Sequence, residues 1–224
     1  MSGIIEEKVA EFLRSIPAGI TVVAAAKTRR PDELRAAIRA GIKILGYNYV
    51  QEAEQMYREI GNAVQWHMIG HLQRNKAKEA VQLFDLIETI DSVRLAEAVD
   101  RRCAELGKVL PVLIEVNSGR EPNKSGVFPE AVDELVRQVS KFQSIRVQGL
   151  MTMGPLTDSE NLRPYFKETK AAFDRLAKVG IPNVEMRYLS MGMSDSYLVA
   201  IEEGANMIRI GTKLFGERFV ERKP

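Results

Sequence analysis

Eight short apolar runs, each followed by a segment of helical character, recur along this chain and restrict the folds open to it. The first, Ile20 to Thr28, reads ITVVAAAKT and has no polar alternation, as expected of a strand buried on both faces in a parallel sheet. The others are Ile42 to Gly46, Val64 to Ile69, Phe84 to Thr89, Val109 to Val116, Arg146 to Met151, Val184 to Leu189 and Met207 to Ile210. Helical spacing of Ile4, Ile5, Val9, Phe12, Leu13 and Ile16 places an amphipathic helix before the first strand, broken by Pro17 and Gly19. Pro31, Asp32 and Glu33 open the next helix and Gly41 closes it. Asp91 or Ser92 caps the helix that carries Cys103, Asp158 or Ser159 starts a long helix ending at Gly180, and Ser194 with Asp195 opens a short one. Eight parallel strands alternating with helices predict a (β/α)8 TIM barrel occupying residues 1–224 as one domain, with no Pro/Ser-rich linker to divide it. A doubly wound open sheet is the competing fold, but the Gly-rich fingerprint expected after its first strand is absent.

Composition narrows the function classes. Lys and Arg total 32 against 30 Asp and Glu, interspersed rather than blocked, so no electrostatic footprint for nucleic acid or an anionic membrane is present. No apolar run reaches the roughly 18 residues that a bilayer crossing needs. Acidic residues stand where a signal peptide would be basic, and the single cysteine, Cys103, can form no internal disulfide; a reducing cytoplasm is the expected compartment.

A barrel brings the C-terminal ends of all its strands to one mouth, with phosphate commonly held by the loops after strands seven and eight. Here those loops read Ser190-Met191-Gly192-Met193-Ser194-Asp195 and Arg209-Ile210-Gly211-Thr212. Hydroxyls and glycine-freed backbone N–H groups suit an anion, although each segment read alone is a helix cap or a turn. Across the mouth, Lys27 ends the first strand. A lysine stripped of water there favours the free amine, a nucleophile toward aldehydes, unless it only marks the strand end and reaches into solvent.

The strand ending AAAKT, the segments GYNYVQE (Gly46 to Glu52), WHMIGHLQRNK (Trp66 to Lys76) and GLMTMGP (Gly149 to Pro155), and LSMGMSDS followed by RIGTKLFGER together resemble the pyridoxal phosphate homeostasis proteins. These are single-domain relatives of the alanine racemase N-terminal barrel, and the resemblance spans nearly the whole chain. It implies that pyridoxal 5′-phosphate (PLP) is held as an internal aldimine on Lys27. It further implies that Ser190, Gly192, Ser194, Gly211 and Thr212 surround the phosphate, that Arg209 faces the pyridine nitrogen, and that Asn48 and Met151 line the ring. One departure is visible: Tyr47 stands at the expected mouth, where the family usually has Glu.

An arginine cannot accept the ring proton that strengthens PLP as an electron sink, yet the racemases work with one there, so Arg209 does not by itself exclude catalysis. Those racemases also take a tyrosine acid/base from a C-terminal β domain, and this chain ends shortly after its last strand. The expectation is therefore a monomeric cytoplasmic PLP carrier that serves vitamin B6 homeostasis with little turnover, its recipients being PLP-dependent apo-enzymes; a slow amino-acid racemase is the alternative. A barrel that binds another phosphorylated metabolite, with Lys27 as its counter-ion, is the third reading. His67 and His71 lie on a strand and turn rather than on one helical face, so no metal site is expected. Tyr47 and Tyr49 are packing residues or a mouth acid, Trp66 belongs to core or rim, and Arg74, Lys76 and Lys78 form a solvated helix face or a second landing point for phosphate.

Overall fold

The computed structural model describes residues 2–217, in which eight parallel strands close into a barrel in sequence order. The strands are β1 (Thr21–Ala25), β2 (Ile44–Tyr47), β3 (Gln65–Met68), β4 (Leu86–Ile90), β5 (Leu110–Val116), β6 (Ile145–Thr152), β7 (Val184–Ser190) and β8 (Met207–Ile210). Around them run α1 (Ser2–Ser15), α2 (Pro31–Arg39), α3 (Val50–Ile60), α4 (Ala77–Leu83), α5 (Val93–Glu105), α6 (Val132–Val139), α7 (Arg163–Val179), α8 (Tyr197–Glu202) and α9 (Thr212–Phe215). Closure comes from β1 pairing with both β2 and β8, in registers such as Ala24 to Leu45 and Val23 to Arg209. With every strand paired on both sides, no edge is left to template aggregation.

Local chemistry sets the helix ends. Pro31 sits at the start of α2, and the Arg30 N–H donates to Glu33 Oε2 at 2.8 Å. Ser92 caps α5 by accepting from the Leu95 N–H, and Gly180 ends α7 in the left-handed conformation. Three expected boundaries shift. A 3-10 turn, Glu160–Leu162, precedes α7, so the long helix begins at Arg163 rather than at Asp158 or Ser159. The short helix begins at Tyr197, because Ser194 is drawn across to the start of α9, where its Oγ accepts from the N–H groups of Gly211 (3.2 Å) and Lys213 (3.5 Å). β1 ends at Ala25, two residues before Lys27.

Two apolar layers divide the core. Inside the barrel, Val23, Ile44, Ile69, Leu86, Leu113, Met151 and Met207 pack together. Between sheet and helices lies the larger cluster, whose biggest member is Trp66. Tyr47 belongs to this outer layer, which corrects its expected place at the mouth: β2 extends through it, and the alternation along the strand turns its ring outward. There it is fully buried and stacks on Trp66 with ring centroids 5.6 Å apart. Gly149 is required by the barrel wall, since a Cβ there would lie 1.8 Å from the Tyr188 carbonyl oxygen.

Candidate functional site

β1 delivers Lys27 to the mouth through a tight turn. The Ala26 N–H still bonds to the Gly46 carbonyl at 2.9 Å, after which Thr28 takes a left-handed conformation with φ of 64°. That conformation is unfavourable for a β-branched residue and costs on the order of 1–3 kcal/mol. It is held because the Thr28 N–H donates to Glu52 Oε1 of α3, so a carboxylate on a neighbouring helix sets the turn that presents Lys27.

Lys27 is half-buried and lines a cleft of about 190 Å³ with Ala25, Arg29, Met193, Ser194, Asp195, Arg209, Gly211 and Thr212. Thus the turn after β1 and the loops after β7 and β8 meet on one recess lined by Lys27, Arg29, Arg209 and Asp195, with Glu33 3.7 Å from Arg29 and Glu88 4.0 Å from Arg209 behind it. Arg29 was not singled out in the sequence. It ties this corner together, donating from Nη2 to the Gly216 carbonyl at 2.6 Å while its guanidinium covers the Phe215 ring. Gly192, with φ of 91°, lets the β7 loop pass against α8, where a Cβ would come within 2.6 Å of Ala200 Cβ. At Gly211 a Cβ would come to 3.5 Å from Ala25, an ordinary contact, and the Gly211 N–H is held by Ser194 Oγ.

Beneath the cleft lies a buried polar layer. Arg209 donates from Nη1 to Ser190 Oγ (2.7 Å) and from Nη2 to the Thr152 carbonyl (2.9 Å). Ser190 in turn donates to Glu88 Oε2 (2.6 Å), whose other oxygen lies 2.8 Å from His67 Nδ1. Burial opposes the charge on Glu88, but His67, Arg209 and Ser190 together outweigh it and hold the carboxyl below its usual range. Burial lowers the Arg209 pKa while Glu88 and Glu115 raise it, and the guanidinium keeps its proton. Glu115 is different. Only 4% exposed, its Oε2 has no hydrogen-bond partner, and burial, helped by the charge of Asp91, pushes its carboxyl up to about 7. It follows Leu113 on the inward face of β5 and pairs in register with Met151 of β6.

The expected site residues therefore fall in three places. Lys27, Ser194, Arg209, Gly211 and Thr212 share the cleft, and Gly192 supports its wall. Ser190 and Met151 are buried below it, the first in the polar layer and the second in the apolar interior. Asn48 lines a separate recess of about 330 Å³ with Tyr49, Gly70, His71 and Lys76, and its backbone packs so closely on Gly70 that a Cβ there would strike it at 2.5 Å. Glu88 and Glu115 are not among the expected site residues, although a glutamate inside the apolar strands LIETI and LPVLIEV is a readable signal. Arg218, the last residue of the RIGTKLFGER segment, lies outside the described residues. His67 faces the interior, whereas His71 sits at the rim 3.0 Å from Ser125 Oγ; among the described residues no three His, Cys, Asp or Glu side chains converge as metal ligands. Trp66 is core, and the Cys103 thiol, buried in α5, is pushed up to about 11, mainly by that burial.

A recess of about 600 Å³ opens at the opposite, N-terminal end of the strands around Lys43, Gln65 and Asp85, but none of the donors described above reaches it. The donor set of the mouth cleft suits a phosphorylated aldehyde. An amine shares the recess with two hydroxyls, a glycine backbone and two guanidinium groups.

Residues 7–219 match the family described as alanine racemase, N-terminal domain. The pyridoxal phosphate homeostasis protein of Aquifex aeolicus is 41% identical over 199 residues, covering 88% of this chain and 86% of that protein. Its counterpart in Escherichia coli K12 is 39% identical over 214 residues, covering 92% and 89%. Among solved structures, PipY of Synechococcus elongatus superposes with a TM-score of 0.89 without PLP, at 34% identity over 95% of this chain and 100% of that one. PipY with PLP bound superposes with a TM-score of 0.87 at 33% identity and the same coverage. The closed barrel, the lysine presented at its mouth and these relatives together establish that the chain belongs to the alanine racemase N-terminal domain family and, within it, to the pyridoxal phosphate homeostasis proteins.

Proposed function

We propose that this protein binds PLP in the mouth cleft and takes part in PLP homeostasis, as a monomeric cytoplasmic barrel that holds the cofactor on Lys27 and releases it to apo-enzymes. The single observation that carries this reading is the convergence of Lys27, Ser194, Arg209, Gly211 and Thr212 on one recess, in a barrel whose relatives include PipY with PLP bound. Bound PLP supplies an aldehyde carbon for an amine and a ring that withdraws electrons. Lys27 provides the amine, and the Thr28 to Glu52 hydrogen bond orients the turn that bears it. The hydroxyls of Ser194 and Thr212 and the backbone at Gly211 would hold the phosphate, with Ser194 exchanging its present bond to the Gly211 N–H for the ligand. Arg209, locked by Ser190 and Thr152, offers only donors, so beside the ring nitrogen it would occupy the lone pair and provide no acceptor to hold a ring proton, which would keep the electron sink weak. Weak activation with reversible covalent attachment suits storage better than turnover.

One observation favours the racemase alternative. Glu115 carries a carboxyl near 7 on the inward face at the C-terminal end of β5, the kind of group that moves protons at neutral pH. Absorbance of the purified protein with added PLP tests binding: a visible band that borohydride traps covalently, and that Lys27→Ala abolishes, is expected. Absence of that band after PLP addition removes the cofactor from the account. Assay of the loaded protein with L- and D-alanine then separates carrier from catalyst, and steady interconversion lost in Glu115→Gln would establish the enzyme.

A further inference from the structure

On the outer wall, between α4 and α5, a groove of about 310 Å³ is lined by Arg74, Asn75, Lys78, Arg94, Glu97, Ala98, Arg101 and Arg102. Arg74 belongs to the 3-10 turn (Arg74–Lys76) that leads into α4, and Lys78 follows one helical turn later. On α5, the positions Arg94, Glu97, Ala98 and Arg101 recur at three- and four-residue spacing, so they form one stripe along the helix. Small Ala98, half-buried, gives the groove a floor, and long cationic side chains rise from both helices. Five cations thus share the lining with a single carboxylate.

Their grouping sets this patch apart, since the other arginines without an ion pair among the described residues, such as Arg14, Arg58, Arg137 and Arg146, stand one each on α1, α3, α6 and β6. Arg30, Arg35, Arg39, Arg120, Arg163 and Arg175 each meet a carboxylate within 3.1 Å. In the groove only Arg102 is so engaged, with Glu105. Among the described residues, Arg74, Lys78, Arg94 and Arg101 have no ion-pair partner. A chain with nearly balanced charge, 32 basic residues against 30 acidic, has thus gathered four cations without an ion-pair partner, beside the one carboxylate of Glu97, around one concave recess. Like charges so placed repel one another until an anion enters.

We propose that this groove binds a small molecule through a chain of two or three phosphate groups. Four unpaired cations exceed what one phosphomonoester neutralises and match a di- or triphosphate, and three of them are arginines, whose planar forks grip phosphate oxygens in pairs. No aromatic side chain lines the groove, so the phosphate chain rather than a stacked base is what it recognises. The same lack, and the small volume, argue against a nucleic acid strand. The site shares no lining residue with the Lys27 cleft and stands whether or not PLP binds there.

Calorimetric titration of the full chain with sodium tripolyphosphate tests the assignment, run beside the double variant Arg94→Gln/Arg101→Gln and the single variant Lys27→Ala. Saturable one-to-one binding is expected, weakened roughly tenfold or more in the double variant by loss of two charge-assisted contacts, and retained in Lys27→Ala. Circular dichroism verifies that the double variant, altered only at exposed side chains, keeps its fold. Binding that the double variant leaves unchanged, binding lost in Lys27→Ala, or no saturable heat would each overturn the proposal. So would tight binding of a single-stranded oligonucleotide in the absence of tripolyphosphate binding.

Discussion

Glu115→Gln exposes the energetic cost of the buried carboxyl near the mouth. In the folded protein this group is pushed up to about 7, against 4.5 in its ordinary state, with burial as the main cause, the charge of Asp91 adding to it and Arg209 opposing. A raised carboxyl means that, between these two values, the folded chain binds more protons than the unfolded one. Stability therefore falls as pH rises from 4.5 to 7 and is level on either side. At about 1.4 kcal/mol per pH unit, the full penalty is roughly 3 kcal/mol, of which about 2.5 kcal/mol develops between pH 5 and pH 8. Gln keeps the shape but cannot ionise. Its amide also lacks a guaranteed partner for the orphaned Oε2 position, an offset that does not depend on pH. The measurement is urea unfolding of both proteins at pH 5 and pH 8. Relative to the parent, Glu115→Gln should gain about 2 to 3 kcal/mol on going from pH 5 to pH 8, because only the parent ionises a buried group over that interval. An unchanged difference at the two pH values would refute the reasoning and show that Glu115 is already charged and solvated in the native barrel.

The remaining predictions concern packing and the polar layer. Tyr47→Phe removes a buried hydroxyl that has no partner, so stability should hold or rise by about 1 kcal/mol; a loss beyond that in denaturant titration would mean that the hydroxyl is hydrogen-bonded. Gly149→Ala should prevent folding or cost several kcal/mol, because its Cβ would overlap the Tyr188 carbonyl, while Gly107→Ala, with φ of 62° and open space, should cost only about 1 kcal/mol. Equal effects by thermal unfolding would contradict the tight contact between β6 and β7. Ser190→Ala breaks the link between Arg209 and Glu88 and should cost roughly 1.5 to 3 kcal/mol in urea, leaving two buried charged groups each short of one bond. A neutral result would show that water replaces the hydroxyl.

The barrel was legible because its strands are buried on both faces and its helices on one. Runs such as ITVVAAAK and MIRI declare the first pattern, and the spacing of Ile5, Val9 and Phe12 the second. That Lys27 and Gly211-Thr212 share one mouth was legible, but the sequence reading set the lysine across from the β8 loop, whereas closing eight parallel strands in order puts β1 directly beside β8. Tyr47 was misplaced because being last in a strand says nothing about which face the residue takes; a register one residue different would have sent it to the mouth. Ser194 looked like the cap of the helix that follows it in the chain, yet it caps a segment seventeen residues further on, brought close only by the packing of the β7 loop on β8. Arg29 resembled any exposed loop cation until the carbonyls of Phe215 and Gly216 were seen to meet it.

The division has a physical basis. Hydrophobic periodicity is a local property, written into consecutive residues, so the sequence alone determined the number, order and type of the elements and hence the ring of loops at the mouth. Hydrogen bonds between groups far apart along the chain have no local record. The path from Arg209 through Ser190 and Glu88 to His67 joins β8, β7, β4 and β3, and the turn that presents Lys27 is held by a glutamate on α3. The grouping of Arg74 and Lys78 with Arg94 and Arg101 likewise exists only where two helices lie side by side. These are decisions of the tertiary structure, made where the closed barrel leaves buried polar atoms to be satisfied and surface charges to be brought together.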